Sequence, residues 1–105
     1  MEEAFDVLAK YARKEELEEL PDDVAAVIKQ MQGIVHTGGR YEVVTEEGED
    51  GTVEVVVYTL RRSRRLGTSK YPGWERTKKL AELKLDEEAQ ERVQELYERV
   101  SQRLA

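Results

Sequence analysis

The sequence predicts a single α+β domain in the order ααβββα, with a three-stranded antiparallel meander packed against helices. Three observations support this fold class. The chain has 105 residues, of which 39% are apolar, and this is enough for one domain with one core. Apolar residues recur with the helical period up to residue 31 and after residue 86. Between these segments the period is two, which is typical of strands.

Residues 2–19 are predicted to form the first helix, which Pro21 ends because proline lacks an amide proton and clashes with the preceding turn. The apolar stripe of this helix consists of Phe5, Leu8, Ala9 and Ala12, continued less regularly by Leu17 and Leu20. Asp22 or Asp23 is expected to cap a second helix, and Gly33 to end it in a left-handed conformation. The apolar positions of the second helix are Val24, Val27, Ile28 and Met31.

Residues 40–46 and 52–62 are rich in β-branched side chains and flank a Gly/Asp turn, which predicts a hairpin. The second strand is apolar on both faces: one carries Val53, Val55, Val57 and Thr59, and the other Val56, Tyr58 and Leu60. Residues 74–85 are predicted to form the third strand because apolar and charged residues alternate near their end. The alternative is that this segment begins the last helix early.

The last helix is predicted over residues 86–104, with Asp86 as its N-cap and Glu87 and Glu88 in the first turn. Its apolar stripe consists of Ala89, Val93, Leu96, Tyr97, Val100 and Leu104. We expect this helix to pack on the sheet.

Charge is distributed unevenly along the chain. The net charge is −6, but residues 61–79 carry eight basic residues against one acid, Glu75, so this basic segment has a charge of +7 and the remainder −13. The acidic residues include a run in residues 15–23 that is expected to be a solvated helix face. The molecule is therefore predicted to be polarised, with a basic hairpin on an acidic body.

The basic segment predicts a small, non-enzymatic nucleic-acid-binding protein, for DNA or RNA. Cations would neutralise phosphates and release counterions, while the aromatic rings would stack on bases. The candidate interface consists of Arg61, Arg62, Arg64, Arg65, Lys70, Tyr71, Trp74, Arg76, Lys78 and Lys79. The alternative is that these cations pair with acidic residues of the same chain or protect a strand edge.

Two other functions fit the same pattern. The chain could be a protein-interaction module or inhibitor that uses its acidic helices or an open sheet face, including a homodimer through that face. It could also be an engineered scaffold, because its charged composition and regular last helix resemble design practice. If helices cover only one face of the second strand, the patch around Tyr58 is left open for a partner or for bases.

Catalytic and metal sites are not predicted. The sequence contains no Cys and one His, His36, for which an ordinary polar position is expected. The segment 67–70 (GTSK) lacks the upstream glycine of a phosphate-binding loop. No cofactor is implied, no apolar run is long enough for a membrane span, and a cytoplasmic location is expected.

Overall fold

Residues 1–63 and 73–105 are described by the computed structural model, and they confirm the α+β fold class. The candidate residues Arg64, Arg65, Lys70 and Tyr71 lie outside these described ranges. The elements are α1 (Glu2–Tyr11), α2 (Lys14–Leu17), α3 (Asp22–His36), β1 (Arg40–Glu47), β2 (Val53–Ser63), β3 (Gly73–Leu85) and α4 (Glu87–Leu104).

The first predicted helix is wrong in one respect, because it is two helices separated by a break after Tyr11. Ala12 has extended backbone angles, and the side-chain amide of Gln32 donates to the carbonyls of Ala12 and Leu8 at 2.9 and 3.2 Å. A straight helix would turn Leu17 away from the face that carries the earlier apolar residues. The break reorients the chain so that Leu17, with 1% exposure, enters the core.

The predicted ends of the second helix are also wrong. Pro21 is the N-cap residue of α3, and Asp22 and Asp23 lie in its first turn. Gly33 lies inside α3, which continues to His36, and Gly38 supplies the positive φ of 79° just beyond the end. Gly33 does not have a positive φ. A Cβ added at Gly33 would have no atom within 4 Å, so neither its backbone conformation nor its surroundings require glycine.

The sheet is the predicted meander, in the order β1-β2-β3, with both neighbouring pairs antiparallel. Each strand end lies within one residue of the predicted one. The β2–β3 ladder contains two irregularities, at Val57/Tyr58 and at Thr59/Leu60, where β3 has an additional residue each time. Such bulges bend a strand and increase its twist.

The core lies between the helices and one face of the sheet. It is formed by apolar residues from every element except β1, and its largest buried members include Phe5, Leu8, Ile28, Met31, Val55, Val57, Leu85 and Leu96. All four residues predicted for the apolar face of α3 are buried. The helices therefore cover one face of the sheet.

The prediction for α4 is confirmed at its start, where the Asp86 carboxylate accepts a hydrogen bond from the amide of Ala89 at 2.8 Å. Ala89, Val93, Leu96 and Val100 are buried, whereas Leu104 is 49% exposed. The helix packs against α1 as well as β3. Part of its apolar stripe thus serves helix–helix packing, which the sequence-based prediction did not include.

Candidate nucleic-acid interface

The face of the sheet opposite the helices is the open face. Residues directly opposite one another in antiparallel strands share a face, so the register assigns the members of the open face. Its residues are Arg40, Glu42, Val44 and Glu46 of β1; Glu54, Val56, Tyr58, Leu60 and Arg62 of β2; and Trp74, Arg76, Lys79, Glu82 and Lys84 of β3. The β2 residues of the other face, Val53, Val55 and Val57, are buried, while Val56, Tyr58 and Leu60 are only half-buried.

Three guanidinium groups lie over the two aromatic rings of the open face. The Cζ atoms of Arg40 and Arg62 lie 4.6 and 5.6 Å from the centroid of the Trp74 ring. The Cζ of Arg76 lies 4.2 Å from the centroid of the Tyr58 ring. Cation–π contacts of this kind contribute roughly 0.5–1 kcal/mol at exposed sites. They hold long basic side chains along the sheet beside two rings, in an arrangement that can present both charge and flat stacking surface.

Three of the five described cations of the basic segment also pair with described carboxylates. Arg61 pairs with Glu75, the Nε of Arg76 donates to the Oε1 of Glu42 at 2.6 Å, and Lys79 lies 3.4 Å from Glu82. The alternative of pairing within the chain is therefore partly present. These pairs are exposed, and exposed pairs typically contribute only ~0–1 kcal/mol. A phosphate can therefore compete with such a carboxylate at little cost.

The predicted site residues divide between the two faces. The open face brings together Arg62, Trp74, Arg76 and Lys79. Arg61 and Lys78 lie opposite Glu75 and Thr59 on the other face, beyond the part that the helices bury. Lys78 and Lys79 are successive residues of β3, paired with Thr59 and Tyr58, and therefore lie on opposite faces. The described cations of the basic segment thus do not form one continuous surface.

Two of the residues in these contacts between guanidinium groups and rings, Arg40 and Tyr58, were absent from the predicted interface. Arg40 begins β1, and only the pairing of β1 with β2 brings it within reach of Trp74. Tyr58 was predicted on the correct face of β2, but its contact with Arg76 depends on the bulged register of β3. The alternation of Val56, Tyr58 and Leu60 was the only signal in the sequence for this part of the site.

Two further tyrosines, Tyr41 of β1 and Tyr97 of α4, have different surroundings. Tyr41 and Tyr97 pack against the core on the covered side of the molecule. Burial and the nearby Asp6 carboxylate raise the pKa of the Tyr41 hydroxyl well above its usual value. These two rings are therefore part of the packing of the domain and separate from the open face.

The acidic run of residues 15–23 is not only a solvated surface. Glu16 accepts from Arg103 at 2.6 Å and Glu19 accepts from Arg99 at 2.7 Å, which ties the α2 region to α4. The hydrogen bond from Arg103 lowers the pKa of the Glu16 carboxyl, and the bond to Glu19 raises the pKa of the Arg99 guanidinium. These two acids thus help to attach the last helix.

Within the described ranges, no three His, Asp or Glu side chains are grouped so that they could hold a metal ion. His36 is exposed at the end of α3. No helix in the described part of the chain is both long and apolar enough to cross a membrane. Comparison of the chain with protein-family models, with curated proteins and with solved structures finds no match.

Proposed function

We propose that this protein is a small, non-enzymatic nucleic-acid-binding protein and that the open sheet face is its binding surface. The observation that carries the proposal is the cluster of Arg40, Arg62 and Arg76 over the rings of Trp74 and Tyr58. Aromatic rings and guanidinium planes are the groups on which unpaired bases stack. The same guanidinium groups keep N–H donors for phosphate oxygens.

The charge at the end of the open face that carries Trp74 and Tyr58 supports the proposal, although the net charge of the chain is acidic. Among the described residues, Arg40, Arg62, Arg76 and Lys79 stand here against Glu42 and against Glu82, which lies next to Lys79. Each phosphate that a cation neutralises releases condensed counterions, which is the main source of affinity in such complexes. The acidic remainder of the chain would orient this end of the molecule toward a polyanion.

The non-enzymatic part of the proposal rests on the sequence, which has no cysteine, one histidine and no recognised spacing of nucleophile and base. The cytoplasm, where nucleic acids are accessible, is the proposed location. A protein partner is the second candidate, favoured by the half-buried apolar strip of Val44, Val56 and Leu60 on the same face. A second copy of the chain is one such partner.

Fluorescence anisotropy with labelled mixed-sequence oligonucleotides tests the proposal. The full chain is titrated at several salt concentrations between about 0.05 and 0.2 M. If four phosphates are neutralised, the log–log slope for a single strand is expected near −3. Absence of binding by folded protein at the lowest salt concentration would refute the proposal.

A matched pair of variants locates the binding surface. The double substitution Arg62→Glu with Arg76→Glu reverses two charges on the open face and is expected to abolish binding. The control, Lys29→Glu with Arg92→Glu, makes the same change in net charge on exposed positions of α3 and α4. Equal loss of affinity in both variants would show that net charge, and not the open face, governs binding.

A further inference from the structure

The charge of the open face changes sign along the strands. One end carries Arg40, Arg62, Arg76 and Lys79 with the two rings. The other end carries three carboxylates, Glu46, Glu54 and Glu82, with one lysine, Lys84, among the residues that the structure describes. That lysine lies 3.8 Å from the Asp50 carboxylate in the adjoining turn. A polyanion attracted to the first end is therefore repelled from the second.

The two rings define the length of the favourable part. Trp74 lies opposite Arg62, four residues along β2 from Tyr58. At about 3.3 Å per residue, the two positions are about 13 Å apart along the strand direction. Each position combines one ring with at least one guanidinium group. The described strands of the open face thus have two stacking positions before the acidic end formed by Glu46, Glu54 and Glu82.

On the basis of the proposed function, we infer that the open face binds a short unpaired segment of a single strand, with one base at Trp74 and one at Tyr58. The phosphates contact the surrounding arginines, and the carboxylates around Glu54 end the binding site. A duplex fits this surface poorly, because its base faces are hidden in the stack and cannot contact the rings. DNA and RNA share the chemistry used here, which is a base face next to a phosphate.

Oligonucleotides of increasing length test the size and strandedness of the site. Deoxyuridine and uridine oligomers of 2 to 12 nucleotides, which differ only in the sugar, are compared with a duplex of the longest length at one low salt concentration. Affinity is expected to rise up to about four to six nucleotides and then only in proportion to the number of overlapping sites. The duplex is expected to bind more weakly than the single strand, and the comparison of the two sugars assigns DNA or RNA.

Ring substitutions separate stacking from charge. Trp74→Ala and Tyr58→Ala are each expected to reduce single-strand affinity about 5- to 140-fold, which is the range for loss of one stacked base. Trp74→Phe and Tyr58→Phe keep a ring and should retain most of the affinity. The salt dependence should be nearly unchanged in all four variants, because no cation is removed.

The acidic boundary is tested by Glu46→Lys combined with Glu54→Lys, which should lengthen the oligomer needed for full affinity. Glu47→Lys with Glu49→Lys is the control, since it makes the same charge change outside the open face. Equal effects of the two variants would contradict a boundary on the face.

The possible outcomes distinguish this inference from the proposed function. Equal affinity for duplex and single strand, together with unchanged binding by the two alanine variants, would overturn the inference and leave nucleic-acid binding in place. Failure of every oligomer to bind would overturn both. A dimer in sedimentation experiments that dissociates after Tyr58→Ala and excludes oligonucleotides would assign the face to a second copy of the chain and refute the inference.

Discussion

If the open face binds nucleic acid as proposed, Glu42 competes with phosphate for Arg76, and removing the Glu42 charge should strengthen binding. The guanidinium of Arg76 lies over Tyr58 and donates to Glu42 at 2.6 Å, and the two side chains are 52% and 44% exposed. A pair this exposed contributes at most about 1 kcal/mol. Glu42→Gln should accordingly raise single-strand affinity up to about fivefold. The log–log salt slope should stay nearly unchanged, because the proposed site already includes a phosphate at Arg76 and the substitution adds no further phosphate contact.

The assay is a salt titration of oligonucleotide binding with Glu42→Gln and with Glu47→Gln. Glu47 lies on the same strand but on the opposite face, so the control removes the same charge without freeing Arg76. Thermal melting should show both variants folded, because exposed substitutions typically change stability by about 0.5 kcal/mol or less. Equal affinity for the two variants would refute the contact between Arg76 and phosphate.

Three further predictions concern the fold. Leu96 is only 1% exposed, and Leu96→Ala should lower the free energy of unfolding in urea by about 2–5 kcal/mol. Removal of residues 86–105 should abolish the cooperative unfolding transition. A truncated chain that still melts cooperatively would contradict the packing of α4. The pKa of Glu16 is lower in the folded than in the unfolded chain because Arg103 donates to it. Its stabilisation is therefore present at neutral pH and lost as the pH falls through that lowered pKa, and Arg103→Gln should make stability between about pH 7 and 3 less pH-dependent. Gly33→Ala should stabilise α3 by up to about 1 kcal/mol. Gly38→Ala should instead destabilise the protein by about 1–2 kcal/mol, because Gly38 has a positive φ. Melting temperatures that shift in the same direction in the two variants would contradict this account.

Local patterns were sufficient to predict the strands, because the alternation of Val53, Val55 and Val57 is set by one buried face. The start of α4 was predictable for a similar reason, since Asp86 caps it through a contact three residues away. The break after Tyr11 was not predictable in this way. It is stabilised by Gln32, which lies 20 residues further along the chain than the Ala12 carbonyl to which it donates.

The candidate site was predicted in part. Arg62, Trp74 and Arg76 belong to the basic segment that composition alone singles out. The contributions of Arg40 and Tyr58 depend on the pairing of strands and on two bulges, and neither feature has a signal in the local spacing of residues. Composition therefore identified the charge of the site, while tertiary structure determined which side chains share a face.

The central claim is that nucleic acid contacts the open face, and the only tryptophan of the chain reports on it directly. Trp74 lies within that face, with the guanidinium groups of Arg40 and Arg62 over its ring. Titration with a single-stranded oligonucleotide at low salt should quench its intrinsic fluorescence in a saturable manner, with the same affinity as anisotropy gives, and added salt should reverse the quenching. Binding detected by anisotropy with no change in the emission of Trp74 would contradict the claim.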